Sequence, residues 1–284
     1  MKNLSDINVV KSLLSRHGFQ FSKALGQNFL INPEICPKMA TECGADQTKG
    51  VIEVGPGFGV LTRELAARAN KVVAIELDKR LPAVLAETLR DFNNVKVVQA
   101  DVMEVDLHQL IQDEFSGLDV LVCANLPYYI TSPVIMKLLE EKLPVESLTV
   151  MVQKEAAERL CAQPGTRECG AVSAAVQYYA EPEILFEVSR GSFMPAPNVD
   201  SAVIQLHIRK EPPVDVRDEA LFFRVIRAAF AQRRKTAVNS ISNTLHMSKQ
   251  QVTDAFEQAG VRANSRAEAL TLPEFAAVVN QLAD

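Results

Sequence analysis

Residues 51–76 read VIEVGPGFGVLTRELAARANKVVAIE, and the order of residue types in this stretch decides the fold. VIEVG (51–55) is a short apolar run closed by glycine. The segment from Val60 to Ala69 then has helical character, and KVVAIE (71–76) is a second apolar run. Strand, glycine turn, helix, strand is the repeating unit of a parallel sheet, because parallel neighbours need a crossover connection. The pattern continues outward. LPAVLAETLRDF (81–92) predicts a helix and VKVVQ (95–99) a strand. DVLVCA (119–124) and LTVMVQ (148–153) predict two more strands, with helices over SPVIMKLLEE (132–141) and KEAAERL (154–160). Such alternation predicts a parallel sheet covered on both faces. EILFEVS (183–189) and DSAVIQLHI (200–208), separated by the stiff FMPAPN, are too close for a crossover and predict an antiparallel pair. KEPPVDVR (210–217) is Pro-rich and charged, as domain boundaries are. Beyond it Glu219–Ile241, SKQQVTDAFEQAG and LPEFAAVVNQLA all read as helix. The expected class is α/β: a Rossmann-like domain over 1–209 and a small all-helical C-terminal domain over 210–284.

Composition bounds the function. Hydrophobic residues make up 48% of the 284 and charged residues 23%, ordinary values for a soluble globular protein. The N-terminal Val9, Val10, Leu13 and Leu14 fall on a helical spacing with polar residues between. That is an amphipathic helix, not the unbroken apolar stretch of a secretory signal. No run approaches the ~20 apolar residues of a membrane span. The five cysteines are scattered, with no C-x-x-C, so neither a zinc site nor a disulfide framework is expected and a reducing cytoplasm fits best.

The formal net charge of −5 disfavours a nucleic-acid binder only globally. Residues 51–206 carry thirteen Lys and Arg against twenty-two acids, whereas 207–284 carry eleven against nine. FRVIRAAFAQRRK (223–235) holds five basic residues and no acid. An electrostatic footprint can be that local. At ~100° per residue, Arg224, Arg227, Arg234 and Lys235 share one face of a helix opposite Phe222, Val225, Ile226 and Ala229. They form a candidate phosphate-contacting stripe, the alternative being a solvated face. Arg233 falls on the apolar side and is expected to be buried against a carboxylate.

Four consecutive strand ends carry the chemistry. The first is the glycine turn Gly55-Pro-Gly57-Phe-Gly59, which lets backbone approach a ligand beside a helix N-terminus. The second is Glu76, placed to accept hydrogen bonds from two ribose hydroxyls. These two features also describe a dinucleotide-binding dehydrogenase. The third is Asp101, suited to an adenine amine, with Val102 to pack on the ring. The fourth is Asn125-Leu126-Pro127-Tyr128. There an Asn carboxamide oxygen and a backbone carbonyl can accept both hydrogens of an exocyclic amine. Pro127 stiffens the loop, and Tyr128 offers a face to an unstacked base. Open α/β sheets bind ligands at this carboxyl edge. Three tips for an adenosine-bearing cofactor and one for an amine are the layout of an S-adenosylmethionine-dependent amine methyltransferase. A dehydrogenase would not need the fourth. Phe193 is assigned to the opposite face of the base, the alternative being a hydrophobic plug between two strands.

With these motifs in hand, the chain resembles the KsgA (RsmA) family of ribosomal RNA adenine dimethyltransferases. The resemblance rests on KALGQNFLIN (23–32), VIEVGPGFGVLT, AIELD, QADV, NLPYYITSPVIMKLL, VMVQKEAAERL, FMPAPNVDSAV and AFAQRRKTAVNSI, in that order along nearly the whole chain. It implies a class I methyltransferase domain followed by a helical rRNA-binding domain. It implies S-adenosyl-L-methionine contacts at Asn28, Leu30, Gly55, Glu76, Asp101 and Asn125, of which Asn28 and Leu30 would otherwise be read as core packing. The implied reaction is N6,N6-dimethylation of two adjacent adenosines near the 3' end of small-subunit (16S) rRNA. A monomer acting on a pre-ribosomal particle in the cytoplasm, with no metal and no membrane, is expected. The rivals are an Erm-type enzyme of the large subunit, which more often has Ile where this chain has Leu126, and a non-catalytic ribosome-assembly factor. A DNA adenine methyltransferase would need an added target-recognition domain.

Overall fold

The computed structural model describes Leu4 and residues 6–18 and 28–283, so positions 23–27 of the expected cofactor-gating segment lie outside the described residues. The chain forms two compact units. One comprises 1–157 with 183–208, the other 158–182 with 209–284.

The first unit opens with α1 (Ile7–Arg16), capped where the Asp6 carboxylate accepts from the Asn8 N–H at 2.7 Å. Its apolar face buries Val10 and Leu13 to 1% exposure. Each such burial contributes about 1.5–3 kcal/mol. That face packs with Phe29, Phe58, Leu81, Val84 and Leu85. Then come β1 (Phe29–Leu30), α2 (Ile35–Glu42), β2 (Lys49–Val54), α3 (Val60–Ala66), β3 (Lys71–Glu76), α4 (Leu81–Thr88) and β4 (Val95–Gln99). They are followed by α5 (Leu107–Glu114), β5 (Asp119–Asn125), α6 (Thr131–Glu140), β6 (Ser147–Gln153) and α7 (Lys154–Cys161). After α8 (Ala171–Tyr179) come β7 (Ala180–Val188), β8 (Phe193–Met194) and β9 (Ser201–Ile208).

The main sheet has seven strands in the order β4-β3-β2-β5-β6-β9-β7. The first five are parallel, and β9 runs antiparallel to β6 with Ser147 opposite His207. β2 and β5 are neighbours although β3 and β4 lie between them in sequence. The chain therefore winds one way from β2 and returns the other way through β5. That reversal opens a crevice beyond the carboxyl ends of β2 and β5, where such sheets bind ligands. β2, β3 and β5 are almost continuously buried, as parallel strands covered on both faces are. Their apolar runs were therefore readable as strands. β1 and β8 form a separate antiparallel pair, Phe29 opposite Met194 and Leu30 opposite Phe193.

The second unit holds α9 (Glu219–Phe230), α10 (Ala237–Leu245), α11 (Lys249–Gln258) and α12 (Leu272–Leu282). The sequence reading starts the helical region at 210; the compact unit takes in Glu158–Pro182 as well. The reason is an aromatic cluster. Tyr178 and Tyr179 at the end of α8 pack on Phe222 and Phe223 with ring centroids 5.1–5.3 Å apart. Both tyrosine hydroxyls donate to Glu219, at 3.3 and 3.1 Å.

The expected single helix over Glu219–Ile241 is instead two. α9 stops at Phe230, and residues 231–235 form a turn closed by the Lys235 N–H on the Gln232 carbonyl at 2.9 Å. Thr236 then caps α10 through the Asn239 N–H. The Ser240 hydroxyl fastens the corner, donating to the Ala228 carbonyl at 2.6 Å and accepting from the Gln232 N–H at 3.1 Å.

Candidate active site

The crevice is an open cavity of about 1140 Å³, solvent at its mouth included. All four predicted strand ends line it: Gly55 and Gly57, Glu76, Asp101 with Val102, and Asn125 through Tyr128. Asn28 and Leu30 line it too, brought in by β1.

The glycine loop is shaped by what surrounds it. Gly57 has φ +57°, and a Cβ there would stand 3.0 Å from the Phe29 ring. Its N–H donates to Glu76 Oε2 at 3.3 Å. Gly59, at φ +83°, starts α3 from the left-handed region, a conformation other residues adopt only with strain. Phe29 stacks on Phe58 with centroids 3.9 Å apart and planes 11° off parallel. This stack holds β1, and so Asn28 and Leu30, against the loop. Sequence reasoning missed it because GQNFL carries no period that marks a ligand wall.

Glu76 is 6% exposed at the end of β3. Its Oε1 also accepts from the Asp78 N–H at 2.8 Å. Burial raises its pKa above the usual carboxylate range, and the N–H groups of Asp78 and Gly57 partly oppose that. Asp101 Oδ1 accepts from the Met103 N–H at 2.9 Å, which orients the carboxylate at the end of β4. Asp78 is already paired: the Arg80 guanidinium grips it at 2.9 and 2.6 Å.

Glu53 is the residue the sequence reading passed over. It lines the cavity at 1% exposure, and its Oε2 has no hydrogen-bond partner among the described residues. Burial pushes its carboxyl up to about 8, and the Glu76 charge adds to the shift. A buried carboxylate oxygen without a donor is costly, unless a ligand supplies one. Among the described residues the cavity wall contains Glu53, Glu76, Asp78 and Asp101 and no lysine, arginine or histidine. Its charge suits a cationic ligand.

At the end of β5 the backbone is tied on one side only. The Leu126 N–H donates to the Met151 carbonyl at 3.2 Å. The Pro127 carbonyl accepts from the Ile130 N–H at 3.1 Å and from the Thr131 hydroxyl at 3.2 Å. Among the described residues nothing donates to the Leu126 carbonyl or engages the Asn125 carboxamide. Two acceptors thus stand free at the cavity wall. Tyr128 is half-buried and pinned through its hydroxyl to Ser201 Oγ at 2.7 Å. Burial raises its pKa, so the phenol stays neutral. Tyr129 and Leu77 also line the cavity, 56% and 43% exposed. Neither was singled out in the sequence.

Phe193 reaches the cavity but is 3% exposed, packed in the core with Leu30, Val188 and Val203. Strand pairing with Leu30 draws it inward while leaving it on the cavity wall with Tyr128. Arg233 is exposed, not buried. The helical wheel that put it on an apolar face ran past the true end of α9. Arg224 and Arg227 are exposed on α9, while Arg233, Arg234 and Lys235 are all exposed on the turn before α10.

Known proteins resemble the chain over nearly its whole length. A family profile described as "Ribosomal RNA adenine dimethylase" matches residues 18–284. "Ribosomal RNA small subunit methyltransferase A" of Geobacillus thermodenitrificans is 49% identical over 99% of this chain and 97% of its own length. The protein of that name from Bacillus mycoides is 47% identical, covering 99% and 98%. Among solved structures, the 23S rRNA methyltransferase ErmE superposes with a TM-score of 0.67 at 26% identity, over 90% of this chain and all of that one. A dimethyladenosine transferase from Plasmodium falciparum superposes at 0.71 with 24% identity, which shows the shared fold, over 88% and 95%.

Proposed function

The chain belongs to the ribosomal RNA adenine dimethylase family, and on that premise we propose that Asn125, Leu126 and Tyr128 present an adenine N6 amine to S-adenosylmethionine. It is an S-adenosylmethionine-dependent rRNA methyltransferase with a Rossmann-like catalytic domain. The observation that carries the reading is the pair of free acceptors, Asn125 carboxamide and Leu126 carbonyl, on the wall of the acid-lined cavity.

The cofactor fits the residues present. Glu76 would hold the ribose hydroxyls, and Asp101 with Val102 the adenine. Asn28, Leu30 and the Gly55 loop would hold the methionine end, and the orphan oxygen of Glu53 fits its cationic charge. Bound there, S-adenosylmethionine supplies an electrophilic methyl group on a sulfonium whose departure leaves a neutral thioether. The protein's part is to prepare the nucleophile. An adenine amine is poor because its lone pair is delocalised into the ring. Hydrogen bonds from its two hydrogens to Asn125 and the Leu126 carbonyl turn that lone pair toward the methyl. This is positioning with electrostatic stabilisation. Among the described residues no lining histidine or lysine stands ready as a base, and none is needed, because the nitrogen becomes acidic once it is alkylated. Tyr128, fixed by Ser201, supplies a stacking face for the unstacked base. A monomethylated amine keeps one hydrogen for a second cycle.

The relatives' names support small-subunit rRNA over the large subunit, and Leu126 agrees. The product is N6,N6-dimethyladenosine at two adjacent positions near the 3' end of 16S rRNA. The substrate is a pre-ribosomal small-subunit particle, met by a cytoplasmic monomer that contributes to subunit biogenesis. Among the described residues no helix is long and apolar enough to cross a membrane. The helical unit binds RNA phosphates through Arg224 and Arg227 and, on the turn after α9, Arg233, Arg234 and Lys235. The test is incubation with methyl-labelled cofactor and undermethylated small subunits, followed by mapping. Label in two adjacent small-subunit adenosines is expected. Label only in large-subunit rRNA would favour an Erm-type activity.

A further inference from the structure

Tyr129 is the most exposed large apolar side chain among the described residues at 56%, and it lines the cavity. Its neighbours are not free to move with it. Tyr128 is tied to Ser201, and the turn beneath is closed twice on the Pro127 carbonyl. A rigid turn thus holds one tyrosine inward and the next outward, at the mouth.

We propose that Tyr129 is a positioning residue that stacks on the nucleotide adjoining the target adenosine. This rests on the reading of an RNA adenosine as substrate. A base that reaches Asn125 must leave its own stack, and so must open its neighbour. The backbone then carries that neighbour past the cavity mouth, with one face stripped of its partner. Unstacked bases are recognised by aromatic planes. A tyrosine on a closed turn gives such a plane with little ordering cost. Where two adjacent adenosines are modified in turn, the stack would hold one at the mouth while the other is in the cavity.

The test compares Tyr129→Ala, Tyr129→Leu and Tyr129→Phe with wild type on undermethylated small subunits. S-adenosylmethionine affinity is measured by calorimetry for each. Stacking is worth enough that kcat/KM should fall roughly tenfold to a hundredfold in the Ala variant. The loss should fall mainly on KM for the particle, with cofactor affinity unchanged. Phe, which keeps the plane, should restore wild-type behaviour, and Leu, which keeps only bulk, should not. A second readout uses a short single-stranded RNA with 2-aminopurine beside one adenosine. Wild type and Phe should quench its fluorescence, and Ala and Leu should not. Wild-type kcat/KM in the Ala variant, rescue by Leu, failure of Phe, or weakened cofactor binding would each overturn the proposal. Failure of the wild type itself to label small-subunit rRNA would instead count against the functional reading. The quenching comparison would still decide the stacking role.

Discussion

The cavity wall and the turn between α9 and α10 carry opposite electrostatics. Among the described residues the wall holds four acidic side chains and no basic one, and one carboxyl oxygen, Glu53 Oε2, has no hydrogen-bond partner. The turn holds Arg233, Arg234 and Lys235 in succession, all exposed. A protein with net charge −5 therefore keeps its acid on the wall proposed to hold a small cation and its base on the turn proposed to meet a polyanion. The division explains why overall charge said little about nucleic-acid binding. It also predicts that the two regions control different measurable quantities.

The largest effect expected is at Glu53. Its folded-state pKa of about 8 lies above the ordinary 4.5. A raised carboxyl contributes stability in its protonated form, so that contribution is complete below about pH 4.5. It is lost progressively as pH rises and is gone above about 8. The loss is on the order of 5 kcal/mol as an upper bound, from 1.36 kcal/mol per pH unit. Thermal melts of the cofactor-free protein should show this decline, and Glu53→Gln should flatten it. A bound cation favours the carboxylate, so binding below pH 8 should release a proton and tighten as pH rises. Calorimetry in buffers of different ionisation enthalpy reads that proton directly. A wild type with no proton release would remove Glu53 from the cofactor's charge.

Next is Asn125→Ala. Losing one acceptor aimed at the developing charge should lower kcat by roughly 10²–10³, as for other preorganised hydrogen-bonding groups. KM for RNA should change little. A variant that turns over at the wild-type rate with saturating cofactor would defeat the role assigned to it. Glu76→Ala should cost about 1–3 kcal/mol in S-adenosylmethionine affinity, the range for a hydrogen bond to a charged group. Unchanged calorimetric affinity in the folded variant would take Glu76 out of the site.

The smallest single effects belong to the basic residues. Neutralising Arg224, Arg227, Arg233, Arg234 or Lys235 one at a time should lower the log–log salt slope of binding by about 0.7–0.9 per lost contact. Filter binding across a salt series measures this. Arg233 should now behave like its neighbours, with its melting temperature unchanged. A sharp drop in its melting temperature would restore the buried, paired role that the helical wheel assigned.

What could be read from the chain follows from where the information is local. The strands were legible because Val51–Val54, Val72–Ile75 and Val120–Ala124 are apolar runs with glycines or polar tips at their ends. The four strand tips were legible because their chemistry sits in consecutive residues. α5 escaped notice because LHQLIQDE is mostly polar and buries only Leu107 and Ile111. The end of α9 was illegible because no glycine or proline marks it; the break is made by Thr236 and Ser240 beyond it. The association of Glu158–Pro182 with the helical unit depends on rings some forty residues apart in sequence. The orphan oxygen of Glu53 is a three-dimensional fact, since a glutamate before a glycine loop looks the same whether or not something donates to it.

The division of labour is tested most directly by steady-state methylation of undermethylated small subunits across a salt series. The proteins to compare are the wild type, Asn125→Ala, and a variant with Arg233, Arg234 and Lys235 all changed to glutamine. The account predicts that Asn125→Ala loses kcat while keeping the wild-type salt dependence of KM. The triple variant should flatten that salt dependence while keeping kcat at saturating substrate. If the triple variant loses kcat at saturation, or Asn125→Ala changes the salt slope, the acidic cavity and the basic turn do not divide the work as described.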